Sequence, residues 1–216
     1  MRLLLIAALL ACLHNYVWAD GQTTTLPNPT IDEPLAKTSA QEEAVFAGGC
    51  FWGVQAVFQH VRAVVSATSG YAGGMAATAQ YEIVSSGTTG HAETVKVLYD
   101  PAKISYGQLL KIYFSVAHDP TQLNRQGPDT GTQYRSEIFA VNAQQRSIAE
   151  GYIAQLDAAR VFPRRIATKV TRLAAFFPAE DYHQNYAALH PDNAYILIND
   201  RPKVDHLKVA FPNLYK

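Results

Sequence analysis

The stretch AVFAGGCFWGVQAVF, residues 44–58, decides the reading of the fold. Residues 44–47 form a short apolar run, and Gly48 and Gly49 end it. Phe51, Val54, Val57, Phe58 and Val61 then recur at helical spacing, so Cys50 falls at a strand-to-helix turn, at or beside the helix N-terminus. Unpaired N–H groups and the positive end of the macrodipole favour a thiolate there. The two glycines allow a sharp turn that leaves the sulfur open to a ligand. Two readings stay open on these residues alone: a reactive thiol, or a strand-ending turn beside a buried Cys that acts as a small hydrophobe.

Phe51 and Trp52 follow the thiol at once. A thiolate beside two rings suits a small apolar group such as a methyl, and aromatic rings contact sulfur favourably. The alternative is that both rings pack in the core. Val54 and Val57 already give the helix an apolar stripe, which leaves a Trp at its entrance surplus to packing.

Working outward, the N-terminus MRLLLIAALLACLHNYVWAD carries one positive charge and then an apolar run over residues 3–13. That is the length of a signal-peptide core and too short to span a bilayer. Val17 and Ala19 fit cleavage before Asp20, so residues 1–19 are expected to be a signal peptide and the protein to be exported, most simply to a periplasm. A competing reading takes LLAC as a lipoprotein box with Cys12 acylated, the one route by which this chain would meet a membrane. Either way Cys12 is removed or consumed. The mature chain then keeps Cys50 alone and can close no internal disulfide.

Residues 20–41 are rich in Thr and Pro and read as a flexible linker to a domain spanning 42–216. The chain has 216 residues, 48% hydrophobic and 17% charged, with 18 basic against 18 acidic side chains. Such a composition builds one globular domain. It lacks the clustered positive excess of a nucleic-acid binder, the densest cluster being Arg160, Arg164 and Arg165.

Further along, residues 62–68 read as a strand, GYAGG (70–74) as a turn, and residues 81–93 as a short strand followed by a loop. Residues 93–99 alternate as a strand, with Glu93, Val95, Val97 and Tyr99 on one face. A helix over 105–116, a long polar loop over 118–132, a strand over 134–141, a helix over 143–159 and a strand over 166–173 follow. Residues 177–189 open a final helix with Pro178 near its start, and the tail after Pro191 has no assignable pattern. Strands and helices in this order imply a single α/β (α+β) domain, a central mixed sheet packed by helices. A carboxyl on a buried strand face has a raised pKa and is a candidate general acid. The competing reading starts the strand at Thr94 and leaves Glu93 in solvent.

GGCFWG (48–53), GYAGG (70–74), YEIVSSGTTGHAETVKVLYDP (81–101), HDPTQLNRQGPDTGTQYRS (118–136) and AEDYHQNY (179–186) together resemble peptide methionine sulfoxide reductase A. Each block is weak alone; five in order, over residues 45–186, are specific. The resemblance implies a compact α/β fold with a central mixed sheet. It implies attack by Cys50 on the sulfur of methionine S-sulfoxide, with a sulfenic acid left on Cys50. It implies that Glu93 supplies a proton, that Tyr81 and Tyr134 hydrogen-bond the sulfoxide oxygen, and that Phe51 and Trp52 hold the terminal methyl. Asp129 is implied as a polar contact, and His183 and Tyr186 as residues bordering the site. His91 and His118 fall in matching blocks and are read as structural. The seven histidines show no metal-ligand spacing, and the implied reaction uses neither metal nor bound cofactor.

Two departures stand out. Ser85 replaces a cysteine common in the family, without consequence for the chemistry. The tail carries none of the resolving cysteines many members use. Recycling is therefore expected to need an outside thiol, from a thioredoxin-like or glutaredoxin-like protein or a small molecule, with oxidised proteins or free methionine sulfoxide as substrates. Two other classes compete on the same residues. Cysteine acyl transfer would pair Cys50 with His118 or His183. A binding module for methionine-rich partners would need neither Cys50 nor Glu93.

Overall fold

The computed structural model describes residues 26–216. The signal-peptide and lipoprotein readings at residues 1–19 lie outside them. The chain runs β1 (Glu42–Gly48), α1 (Phe51–Gln59), β2 (Val64–Ala72), α2 (Tyr81–Val84), β3 (Ala92–Tyr99) and α3 (Tyr106–Ile112). It continues with β4 (Arg125–Gln126), β5 (Asp129–Thr130), β6 (Ser136–Ala140), α4 (Ala143–Ala158), β7 (Lys169–Arg172), β8 (Phe176–Pro178), α5 (Tyr186–Leu189) and α6 (Arg201–Ala210). Six strands form one mixed sheet in the order β7-β6-β1-β3-β2-β8, antiparallel throughout except for the parallel pair β6 and β7. β4 and β5 make a separate two-stranded ribbon. The fold is the single α+β domain expected, with a mixed central sheet under helices.

β1 and β3 are central and buried on both faces. Phe46, Val95, Val97 and Tyr99 join α1 and α3 in the main core, while Val45, Ala47, Ala72, Ala92 and Phe139 form a smaller cluster on the other face. The main core is strongly aromatic. Phe46 stacks on Phe58 and Tyr113 at centroid distances of 5.2 and 5.0 Å. Such offset pairs add to the free energy of burial itself.

Three local expectations are corrected. Residues 81–84 are a helical turn, not a strand: the N–H of Tyr81 donates to Glu180 Oε1 at 2.9 Å, which anchors the helix start. Residues 176–178 are an edge strand on β2, with Gly70 opposite Pro178, so Pro178 ends a strand instead of starting a helix. Proline is tolerated there because its missing N–H faces away from the ladder. The segment beyond breaks into a 3-10 turn (Asp181–His183), Asn185 at φ 58° and the short α5. The unassigned tail folds into a wide turn, Ile196–Asp200, leading directly into α6, which packs against α1.

The segment read as a free linker is held against the domain over residues 26–41. It has no regular structure, but Asp32 accepts hydrogen bonds from the Gly107 N–H and the Ser105 hydroxyl at the start of α3, at 2.9 and 2.5 Å. Asn28, Tyr152 and Gln155 tie it to α4 and α3, and Tyr99 donates to both Glu33 and Glu42. Specific side-chain bonds override a composition that favours disorder. Asp32→Ala removes a carboxylate from a helix N-terminus. It is expected to cost about 1 kcal/mol in urea unfolding and to expose residues 26–41 to proteolysis. An unchanged midpoint would show that the strap contributes nothing.

Candidate active site

Cys50 is the N-cap residue of α1, directly after Gly49. Gly49 has φ +90°, and a Cβ there would sit 2.5 Å from the Gln126 side chain, so both the turn and the approach of β4 require glycine. Cys50 is a free thiol only 8% exposed. The openness expected from the flanking glycines is absent, and the sulfur is reached through a cavity. The expected ionisation is reversed as well. Burial pushes the Cys50 thiol well up, and the neighbouring Glu93 and Asp200 push it further; the Trp52 N–H at the helix start and the Lys203 cation pull the other way. The helix end acts as elementary electrostatics requires, but desolvation outweighs it.

Glu93 is the second residue of β3, opposite Tyr71 of β2 and 3% exposed. The strand therefore starts early enough to place this carboxyl on the buried face with Val95 and Val97. Its Oε2 accepts a 3.0 Å hydrogen bond from the Phe51 N–H, which links the acid to the residue after the thiol. Burial lifts its pKa to about 8, partly offset by that hydrogen bond and reinforced by Asp129 and Asp200. At neutral pH Glu93 is mostly protonated and can donate.

Tyr81 enters from the first position of α2, and Tyr134 from the end of a 3-10 turn, Thr132–Tyr134. Burial, and then Glu93, raise the pKa of both phenols, so they stay neutral donors. Asp129 on β5 accepts a hydrogen bond from the Tyr195 hydroxyl. Cys50, Phe51, Trp52, Tyr81, Glu93, Asp129, Tyr134 and Tyr195 surround one cavity of about 190 Å³. A larger open depression of about 510 Å³, between Ser39–Gln41 and Arg62–Val65, holds none of these groups.

Seven of the nine residues singled out in the sequence thus line this cavity. His183 and Tyr186 do not: they back its wall. The Trp52 indole N–H donates to His183 Nδ1 at 3.2 Å, and Tyr186 stacks flat on the indole with centroids 3.8 Å apart. His183 also lies 5.0 Å from the Phe51 ring and 4.3 Å from Tyr81. Both residues therefore fix the rings that face the cavity. Tyr195 is not legible in the sequence because it stands in a tail with no periodicity and no motif around it. Glu180, which holds the Tyr81 N–H and the Tyr71 hydroxyl, was missed as one acid in an exposed-looking segment.

Among the described residues no histidine lines the cavity. His118 is buried behind Gly48, bonded to the Tyr113 carbonyl and the Thr168 hydroxyl, and burial lowers its pKa to about 3. His91 is fully buried, its ring nitrogens bonded to Gly74 N–H and the Met75 carbonyl. A Cys-His pair for acyl transfer is therefore not built here.

A buried thiol, a buried protonated acid and two neutral phenols surround one small aromatic-walled cavity, a set of groups equipped to donate protons beside a sulfur nucleophile. Comparison with known proteins narrows the class. Residues 42–213 match the peptide methionine sulfoxide reductase family. Peptide methionine sulfoxide reductase MsrA 2 of Mesorhizobium japonicum is 58% identical over 185 residues, 86% of this chain and 94% of the relative. MsrA 2 of Synechocystis is 49% identical, over 88% of this chain and 90% of the relative. Among solved structures, methionine sulfoxide reductase A of Corynebacterium diphtheriae superposes with TM-score 0.61 at 36% identity, covering 79% of this chain and 86% of that one. Reduced Mxr1 of Saccharomyces cerevisiae superposes with TM-score 0.65 at 31% identity, covering 74% and 94%. The chain belongs to the peptide methionine sulfoxide reductase family, in its MsrA branch, and is a peptide-methionine (S)-S-oxide reductase.

Proposed function

We propose that this enzyme reduces methionine S-sulfoxide by a one-cysteine cycle through a sulfenic acid on Cys50. The observation that carries this reading is the meeting of Cys50 and protonated Glu93 in one cavity, joined through the Phe51 N–H. Phe51 and Trp52 hold the thioether methyl, and Tyr81 and Tyr134 donate to the sulfoxide oxygen. Asp129, held by Tyr195, supplies the polar edge of the pocket. The Cys50 sulfur attacks the sulfoxide sulfur while Glu93 protonates the oxygen. The thiol proton restores Glu93. The hydroxyl passes from the substrate sulfur to the Cys50 sulfur as the substrate S–O bond and the transient sulfur–sulfur bond break. Methionine leaves as the thioether with its electron pair, and Cys50 is left as S–OH. Neutral Tyr81, Tyr134 and Glu93 stabilise charge that develops on that oxygen.

The second half-cycle needs an outside donor. Cys50 is the single cysteine of residues 26–216, and the tail offers no resolving thiol. A thioredoxin-like or glutaredoxin-like protein, or a small thiol, attacks Cys50–SOH and releases water. A second thiol then frees Cys50 and leaves the donor as its disulfide. No bound cofactor enters either step. With a leader-like segment at 1–19, the setting that fits is outside the cytoplasm, and the clients are oxidised exported proteins or free methionine sulfoxide.

The test is one turnover without reductant. Each sulfoxide epimer is offered separately, and the protein is analysed by mass spectrometry with a dimedone-type trap. The expected result is S-epimer consumption, stoichiometric with enzyme, and one dimedone adduct on Cys50. An intramolecular disulfide, or turnover of the R-epimer, would sink the reading. With dithiothreitol present the S-epimer is expected to turn over repeatedly.

A further inference from the structure

The C-terminal helical segment brings to the first turn of α1 a charge pair that the reaction above does not use. Asp200 ends the wide turn before α6, and Lys203 lies in the first turn of α6. Their ion pair is 3.1 Å long, with Asp200 fully buried and Lys203 18% exposed. The pair presses on α1 at Gly53, three residues after Cys50. A Cβ at Gly53 would clash with Asp200 Oδ1 and lie 2.7 Å from both Asp200 Cγ and Lys203 Nζ. Two costs meet at this contact. Glycine inside a helix is less stable than alanine by about 1 kcal/mol. The second oxygen of Asp200, Oδ2, is buried with no hydrogen-bond partner among the described residues, which also destabilises.

We propose that Asp200 and Lys203 are positioning residues of the reductase: they clamp the first turn of α1 at Gly53 and tune the nucleophilicity of Cys50 by setting a cation and a carboxylate against the helix turn that carries it. This rests on Cys50 being the nucleophile. Glu93 from β3, Tyr81 from α2, Tyr134 from the turn after β5, and Tyr195 with its partner Asp129 share the cavity with Cys50, and the pair lies against Gly53, three residues further along α1. Asp200 in turn faces Lys203 and Asp129, and Lys203 faces Asp200 and His118. In that set Lys203 favours the thiolate, while Asp200 and Glu93 oppose it. In a one-cysteine enzyme no second thiol shares the sulfur chemistry, so its tuning falls to such neighbours.

The test is alkylation of Cys50 by iodoacetamide, followed by mass spectrometry over a pH series in the full folded protein. It needs no sulfoxide turnover, so its failure is separate from failure of the reductase reading. Below the thiol pKa the rate is proportional to the thiolate fraction, and a displacement of one pH unit is a tenfold rate change. Lys203→Met is expected to slow alkylation about tenfold at fixed pH, and Asp200→Asn to speed it by a similar factor. Lys203→Arg keeps the charge and is expected to retain the wild-type rate. A merely structural clamp would loosen the pocket in both neutral variants and speed both. Rates that are unmoved, or that rise in both, overturn the proposal. If Asp200→Asn does not fold, the slowing in Lys203→Met and its absence in Lys203→Arg still decide.

Discussion

Cys50→Ser is expected to abolish S-sulfoxide reduction, with a loss on the order of 10⁴-fold or more in kcat/KM. The argument concerns the atom transferred. Sulfur can accept the substrate oxygen and become a sulfenic acid that thiols reduce; a serine hydroxyl cannot carry that oxygen in any form a thiol can recycle. A serine oxygen is also protonated in this buried setting, where even the more acidic thiol is held well above its ordinary range. The fold should survive. Cys50 occupies the N-cap of α1 without capping through its side chain, and serine is a favoured residue at that position. The measurement is dithiothreitol-dependent turnover of the separated epimers, beside a thermal melt. A folded Cys50→Ser protein that still reduces the S-epimer would remove the thiol from the mechanism and leave the cavity without a nucleophile.

What the sequence disclosed and what it withheld follow from the range of the interactions. The turn at Gly49, the helix after it and the buried face of β3 are set by local rules, and these placed Cys50, Phe51, Trp52 and Glu93. Tyr81 opens α2, while Asp129 on β5 and Tyr134 in the 3-10 turn after it come from one long irregular segment. No periodicity connects them, and they were reached through motif resemblance alone. The corrections share one cause: distant partners decide the local state. Glu180 turns residues 81–84 into a helix start, β2 recruits residues 176–178 as an edge strand, and Asp32 pins a Thr- and Pro-rich segment to α3. Tyr195 and the Asp200–Lys203 pair lie in a tail whose apolar residues pack on α1, so their meaning is invisible until α1 is in place. Ionisation is the hardest property to read. A helix N-terminus announces itself in sequence, but the burial that reverses its effect on Cys50 is a property of the whole pocket.

Glu93→Gln is expected to lower kcat/KM by about 10²- to 10⁴-fold, the usual contribution of a general acid. The amide keeps an oxygen to accept from the Phe51 N–H, so the turn beside Cys50 is retained. It has no acidic proton for the sulfoxide oxygen. Two further readouts separate a lost proton donor from a damaged site. Above about pH 8, where Glu93 is ionised, removing the carboxyl removes a charge that opposes the Cys50 thiolate, and alkylation is compared there. Iodoacetamide should therefore alkylate Cys50 faster in the variant while reduction slows, an opposition that a less nucleophilic thiol cannot produce. The second readout is stability against pH. The folded protein raises the Glu93 pKa from 4.5 to about 8. The stabilising effect of its proton is then complete below about pH 4.5 and is lost as pH climbs through 8. Glutamine never ionises, so the variant escapes that loss. Its melting temperature should hold a constant offset from wild type in acid and gain on it steadily between pH 4.5 and 8. Parallel melting curves across that window would place Glu93 in contact with solvent and end its candidacy as the acid.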